Sequence, residues 1–319
     1  MFVSYLLKNP LWTKRQLGKK TGSNRSGRTK IRPELFSMRL KADLQLFLVT
    51  VIWGSAFAVM RLAAGHHTIF LLNGSRFLLG GLLLLPLTKL RGAFNRSNLV
   101  FVALAGFALY AAIAFQQAGL VTTTAGNAGF ITSLYVVIVP FVLWIFWRER
   151  PSPLMGVAIP LAIGGGFLLS TGGSIRVQPG DVLMFAGSFF WAMHVIVVAK
   201  AQGRIAPLPF ALGQFVFCGV LNLVTGAFIE HPSRADMLFV LPAVLYTAVF
   251  SIALGFTFQV IAQKHTPPND AALILSLEAV FAALFGWLFL HEMLLPVQLV
   301  GCALILIAIA LVQVKNGKM

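Results

Sequence analysis

Ten runs of apolar residues follow one another between Asp43 and Val314, at roughly 43–63, 68–88, 99–119, 124–147, 154–171, 180–200, 207–229, 237–261, 270–290 and 295–314. A helix that crosses the ~30 Å hydrocarbon core of a bilayer needs ~20 mainly apolar residues, and each run is close to that length. Breakers punctuate them: Gly65, Gly92, Pro151, Pro153, Gly172, Gly173, Pro207, Pro232, Pro267, Pro268 and Pro296. The runs do not alternate apolar and polar residues, as the strands of a membrane barrel would. Lipid offers the backbone no hydrogen-bond partner, so continuous runs of this kind must be helices. The pattern predicts an all-α polytopic membrane protein with ten transmembrane helices.

Charge falls between the runs, and almost only on alternate connections. Eleven of the 25 Lys and Arg lie between Lys8 and Lys41. With the N-terminus on the cytoplasmic side, that face also receives Lys89, Arg91, Arg96, Arg148, Arg150, Lys200, Arg204, Lys264, Lys315 and Lys318. The opposite face receives only Arg61, Arg176 and Arg234, and Arg76 lies inside a run. This asymmetry follows the positive-inside rule and places both termini in the cytoplasm. The net charge of +16 therefore belongs to membrane orientation and anionic headgroups. No nucleic-acid-binding motif accompanies it, so nucleic acid is not an expected partner. The basic stretch 1–41 is expected to be a disordered cytoplasmic arm, a transit segment or a leader ahead of a start at Met38. The last is the preferred reading, because Met38 leads directly into the first run.

The chain also repeats itself. At an offset of 138, Asp43, Trp53 and Phe77 fall on Asp181, Trp191 and Phe215, and Arg76 falls on Gln214. At an offset of 143, Gln116, Thr123, Ser133, Trp144 and Glu149 fall on Gln259, Thr266, Ser276, Trp287 and Glu292. The change of offset is expected to reflect a longer connection near the second and third runs. Two units result, 42–171 and 179–314, each with five runs. Five is odd, so equivalent helices point in opposite directions: two inverted five-helix repeats. Secondary transporters use this arrangement, with the solute bound near the midplane between the halves.

Composition agrees. The chain is 58% hydrophobic and 11% charged, with a mean hydropathy of +0.86, against ~45–50% apolar and ~25% charged in soluble domains. No stretch beyond residue 41 is polar enough for a soluble domain. Cys218 and Cys302 both sit inside apolar runs and read as packing residues. Gly164–Gly166 is not followed by Gly-Lys-Ser/Thr, so it is not a phosphate-binding loop, and no ATP site is expected. Close packing of the fifth run is the reading for these glycines. The pair His66-His67 lacks neighbouring Cys, Asp or Glu and makes a poor metal site. No metal, cofactor or enzymatic activity is expected.

Several ordered motifs resemble the drug/metabolite transporter superfamily, in particular its EamA-type permeases. They are Val51-Ile-Trp-Gly-Ser-Ala-Phe57, Arg76-Phe77, Gly129-Phe-Ile-Thr-Ser-Leu-Tyr135 with Pro140, Glu149-Arg-Pro151, Pro179-Gly-Asp181 with Trp191-Ala192, and Leu275-Ser-Leu-Glu278 through His291-Glu292. The resemblance covers about 42–314. It implies ten helices in two pseudosymmetric halves around a cavity lined by the first, third, fourth, sixth, eighth and ninth spans. It also implies export of amino acids or other small metabolites. The family's Glu-Pro in the ninth span is Glu278-Ala279 here, so a role for that proline does not carry over.

Glu278, in the middle of the ninth run, is the leading functional candidate. An intramembrane carboxylate is expensive and is expected to face the cavity, where it can meet a cation or exchange a proton. Its repeat partner Tyr135 can offer a hydroxyl. Arg76 can hold a substrate carboxylate through two parallel bonds, although the implied arrangement puts the second span outside the cavity. His194 lies one turn from Trp191 on a similar face. Trp53, Trp191, Gln116, Gln259, Asn127 and Ser276 complete the candidate cavity, for stacking and hydrogen bonds to a small amphipathic solute. Trp144, Trp147 and Trp287 read as interfacial anchors. Asp43, Asp181, Glu149 and Glu292 lie at the ends of runs and read as helix-terminal structure.

The expected function is secondary-active or facilitative export of amino acids or related metabolites by alternating access, in a plasma membrane of the bacterial inner-membrane kind. The partners are a small-molecule solute, the lipid bilayer and protons as a coupling ion. A cationic drug exporter is the alternative, on account of Glu278. A sugar-phosphate or nucleotide-sugar exchanger would want more buried cations, and a lipid-modifying enzyme would want clustered acids and bases.

Overall fold

A computed structural model describes residues 33–66, 68–171, 178–293 and 295–318. The basic stretch 1–32, His67, Gly172, Gly173 and Arg176 lie outside the described residues. The described chain is helical throughout, with no strand. The helices are α1 (Pro33–Leu62), α2 (Ile69–Leu84), α3 (Arg96–Leu120), α4 (Ala125–Ser133), α5 (Tyr135–Trp147), α6 (Pro153–Thr171), α7 (Pro179–Ala201), α8 (Pro207–Ile229), α9 (Arg234–Tyr246), α10 (Thr257–Ala262), α11 (Pro268–Leu275), α12 (Glu278–Leu290) and α13 (Pro296–Lys318). A π-helical segment, Thr247–Phe256, joins α9 to α10.

Eight stretches are long and apolar enough to cross a membrane: Ser37–Leu62, Ile69–Leu87, Arg96–Leu120, Ala125–Trp147, Pro179–Ala201, Pro207–Ile229, Arg234–Ala262 and Pro268–Leu290. Two shorter apolar helices, Pro153–Leu169 and Pro296–Leu311, stand where the fifth and tenth runs were expected. Large apolar side chains such as Phe141, Trp144, Phe228, Trp287 and Phe289 are exposed on the outer faces. Lipid is the solvent that makes such a surface stable.

The two halves interleave. α6 packs on α13, α2 on α8 and α4 on α12, each pair joining equivalent runs; α3 packs on α7, and α1 on α12 and the π segment. Small residues permit the closest of these approaches. A Cβ on Gly165 would lie 2.6 Å from the Gly301 carbonyl oxygen, and one on Gly301 would lie 2.3 Å from that of Gly165. The expected close packing of the glycines in the fifth run is thus seen at Gly165, where its backbone meets α13.

The apolar runs conceal two discontinuities. Helical structure is interrupted at Leu134 in the fourth run and at Ser276 and Leu277 in the ninth. At both places a serine turns back on the chain: Ser133 Oγ donates to the Phe130 carbonyl at 2.7 Å, and Ser276 Oγ to the Leu273 carbonyl at 2.7 Å. A hydroxyl bonded in this way competes with the backbone ladder and bends the helix. The ninth run therefore breaks with no proline at the break, where Glu278-Ala279 follows.

The π segment places the change of repeat offset. The helix caps Asn95 and Ser233 are 138 residues apart, whereas Thr123 and Thr266, just past the same spans, are 143 apart. The extra residues therefore lie within the span Arg234–Ala262 and not in a connection, as the sequence had suggested. Helix with i→i+5 bonding takes more residues per turn, so insertions are absorbed without a loop.

Candidate functional site

The breaks in the fourth and ninth runs bring the first residues of α5 and α12 face to face. Tyr135 opens α5 and Glu278 opens α12. The Tyr135 hydroxyl donates to Glu278 Oε1 at 2.9 Å, and both side chains are buried, at 2% and 3% exposure. A carboxylate at a helix N-terminus lies at the positive end of the backbone dipole, which favours its charge. Glu278 and its repeat equivalent Tyr135 thus form one hydrogen-bonded pair.

That pair lines a narrow cavity, with about 40 Å³ of space open to water, to which both halves contribute. The first half supplies Trp53, Arg76, Gln116, Gln117 and Tyr135; the second supplies Trp191, Ser251, Phe256, Gln259 and Glu278. Trp53, Trp191 and Phe256 form an aromatic wall. The Trp53 and Phe256 ring centroids are 4.6 Å apart, and Trp191 stacks on Phe256 at 5.9 Å with 9° between planes. The π segment helps to hold this wall, since Trp53 Nε1 donates to the Ser251 carbonyl at 3.3 Å. Polar atoms in the same lining are buried without partners among the described residues: Trp191 Nε1, Gln259 Oε1 and Arg76 Nε. Such orphan groups are costly in an apolar interior and mark where a polar solute or water would be held.

Arg76 departs most from expectation. The second span was expected to stand outside the cavity, yet Arg76 is 5% exposed and lines it. The backbone brings it in because α2 packs on α8 through neighbouring aromatics, with Phe77 and Phe215 at 5.9 Å. An Arg at the centre of a membrane helix costs ~2.5–3.5 kcal/mol on insertion scales.

Three sequence candidates lie elsewhere. His194 is fully buried against α8, with Nε2 3.0 Å from Gln214 Oε1, and is not part of the lining. Ser276 is spent on the Leu273 carbonyl. Asn127 sits at the start of α4, where its amide donates to Asp181 Oδ1 at 2.6 Å and to the Thr123 hydroxyl at 2.9 Å, next to a separate cavity. Each belongs to a helix contact. Conversely, the sequence reading passed over Gln117, Ser251 and Phe256. The first is masked by its neighbour Gln116, and the others by the π segment, which shifts the helical register.

The run-end acids are structural, in a more specific way than expected. Glu292 does not serve its own helix: its carboxylate accepts from Ala125 N at 3.0 Å and Gly126 N at 3.5 Å, at the start of α4. Asp181 closes a capping box at the start of α7 by accepting from Gln178 N at 2.8 Å. Burial pushes the Glu149 carboxyl above its ordinary range, against the opposing pull of Lys200. His66 bonds Asp236 at 3.2 Å and stacks on Phe239, and no group of metal-binding side chains occurs among the described residues.

Comparison with known proteins gives a consistent result. A model described as the EamA-like transporter family matches residues 40–171 and again 178–314. An uncharacterized transporter of Archaeoglobus fulgidus is 34% identical over 277 residues, covering 87% of each chain. The threonine/homoserine exporter RhtA of Escherichia coli (strain K12) is 27% identical over 175 residues, covering 53% of this chain and 57% of that protein. A solved crystal structure superposes with a TM-score of 0.71 at 18% identity, covering 88% of this chain and 98% of the other, which speaks to the fold alone.

Proposed function

We propose a function from one premise: the chain belongs to the EamA-like transporter family, and it is an integral multi-pass membrane transporter and not an enzyme. On this reading it is an exporter of amino acids or related small metabolites, held in the plasma membrane by ten transmembrane helices with both termini in the cytoplasm. The two shorter apolar helices complete the ten. The pairing of equivalent helices supports two inverted five-helix halves, and the two matches of one family model support the same duplication. Alternating access then consists of the halves rocking about the central cavity.

The observation that carries this reading is the cavity at the paired breaks, with Glu278 and Tyr135 joined across it. Broken helices at membrane depth are tolerated where they line a water-filled cavity, and solute sites occur there. Similarity to a threonine/homoserine exporter supports amino acids as the first solutes to try. Glu278 supports proton coupling, and also the second reading, export of organic cations.

Reconstitution into liposomes tests both. Labelled amino acids and organic cations are presented with and without a pH gradient, to the native protein and to Glu278→Gln. The expected result is uptake stimulated by the gradient in the native protein, with the stimulation lost in the variant. An unchanged rate and unchanged pH response in Glu278→Gln would remove the coupling role. Uptake of cations alone would select the second reading.

A further inference from the structure

Among the buried positions at which the two halves differ is one that carries a charge in the first half only. Arg76 and Gln214 are repeat equivalents, each beside a phenylalanine of the α2–α8 contact. In the second half, Gln214 is bonded to His194. The residue equivalent to His194 in the first half is Ala56, which lines the cavity. The packing role is thus met by a neutral amide in one half. In the other half the same place holds a guanidinium, and the side chain that would meet it is cut back to a methyl group.

No carboxylate compensates it. Arg76 Nε is buried without a hydrogen-bond partner, and among the described residues the guanidinium makes no ion pair. Among the described residues, the ionisable group acting on it is the Cys218 thiol. Glu278 lines the same cavity but is engaged by Tyr135. A cation and a carboxyl group therefore line one cavity and form no ion pair with each other. Buried charges are stable when paired, and a planar guanidinium is matched by a planar carboxylate through two parallel bonds.

We infer that Arg76 is the carboxylate anchor of the cavity: the transported solute presents an anionic carboxylate to Arg76 and its opposite, amino end to the Glu278–Tyr135 pair. The body between them lies along Trp53, Trp191 and Phe256. This inference rests on the proposal that the cavity is the solute site, and it rules against cations that lack an acid group.

The test uses the purified full-length protein, its cavity tryptophans serving as fluorescence reporters, and proteoliposome uptake. The probes are L-threonine, L-leucine and L-phenylalanine, their methyl esters, which keep the amine and lose the acid, and propionate and 3-phenylpropionate, which keep the acid and lose the amine. The native protein is expected to prefer free acids over esters. Arg76→Gln, which installs the residue the second half already carries, should weaken binding of the acids by about tenfold or more and leave the esters within about twofold, the loss of one charge-assisted contact. Arg76→Lys keeps the charge without the fork and should fall between. It also decides the matter if Arg76→Gln fails to fold.

Esters bound as tightly as acids by the native protein, or an acid preference surviving in Arg76→Gln, would overturn the anchor. Binding of propionate or 3-phenylpropionate that depends on Arg76, with none of the amino acids bound, would leave the anchor standing and remove amino-acid export. No binding of any acid to the native protein would overturn the anchor, whatever the esters do.

Discussion

Two polar clusters, one at the start of α4 and one at the start of α11, are built on the same plan and differ in one partner. In the first, the Thr123 hydroxyl donates to Asp181 at 2.7 Å and the Asn127 amide donates to the same oxygen at 2.6 Å. In the second, the Thr266 hydroxyl donates to Asp43 at 2.7 Å, but the place of Asn127 is taken by Asp270, and Arg39 bonds Asp270 and lies 3.5 Å from Asp43. The first cluster ties α4 to α7; the second ties α11 to α1. One carboxylate held by neutral donors suffices in the first. Two carboxylates in the second require a cation between them. A duplicated design has kept its Thr–Asp core and changed the chemistry around it, so its two ends respond differently to mutation and to salt.

The largest expected effect is at Asp181. Asp181→Ala removes the acceptor for Thr123, Asn127 and Gln178 N together, a loss on the order of 3 kcal/mol for a buried network that loses its centre. Asp43→Ala leaves Arg39 paired with Asp270 and should cost roughly half as much. Melting of the purified variants in one detergent gives the ranking, and equal losses would mean that the differing partner carries no energetic weight.

A smaller effect should separate the exchanges of the differing residue. Asn127→Asp brings a second carboxylate against Asp181 with no cation beside it, and should destabilise by about 1–2 kcal/mol. Asp270→Asn leaves Arg39 with Asp43 and should cost less than about 1 kcal/mol. The same melts decide the sign, and the comparison breaks if Asp270→Asn is the more damaging.

The smallest effect is the response to salt. Arg39, Asp43 and Asp270 are partly exposed, and the screening length falls from ~10 Å at 0.1 M to ~3 Å at 1 M. The penalty of Arg39→Ala, about 0.5–1 kcal/mol at low salt, should shrink at high salt, while that of Asp181→Ala stays constant. Parallel salt series of the two variants measure it, and a penalty for Arg39→Ala that does not fall removes the electrostatic distinction.

The same contrast shows how much could be read before folding. Asp43, Asp181, Thr123 and Thr266 were visible as repeat equivalents, because a duplicated polar residue in an apolar chain stands out. Their joining across the molecule was not visible, since it needs α4 beside α7 and α11 beside α1. Glu278 was legible as a carboxylate within an apolar run, and Tyr135 as the residue at its repeat position. Hydropathy runs unbroken through Leu134 and Leu277, however, and hydropathy does not register a lost backbone bond. The shared Ser133 and Ser276 were the available sign. Arg76 was legible as an intramembrane charge able to hold a carboxylate, while the resemblance implied that its span stands outside the cavity it in fact lines. Asn127, His194 and Ser276 were legible as polar residues within apolar runs, but polarity alone does not separate a cavity wall from a helix contact.

By itself the sequence determined the helical membrane class, the apolar runs and the presence of an internal duplication. These follow from the transfer of side chains and backbone into lipid, which acts on each segment independently. The tertiary structure decided which polar groups meet one another and which are left to meet a solute. It placed Glu278 against Tyr135, turned Gln214 to His194, and left Arg76 lining the cavity over the Phe77 ring, with no ion-pair partner among the described residues. Those outcomes depend on the rotation and register of packed helices. Packing between segments, and no property of any one segment, sets both.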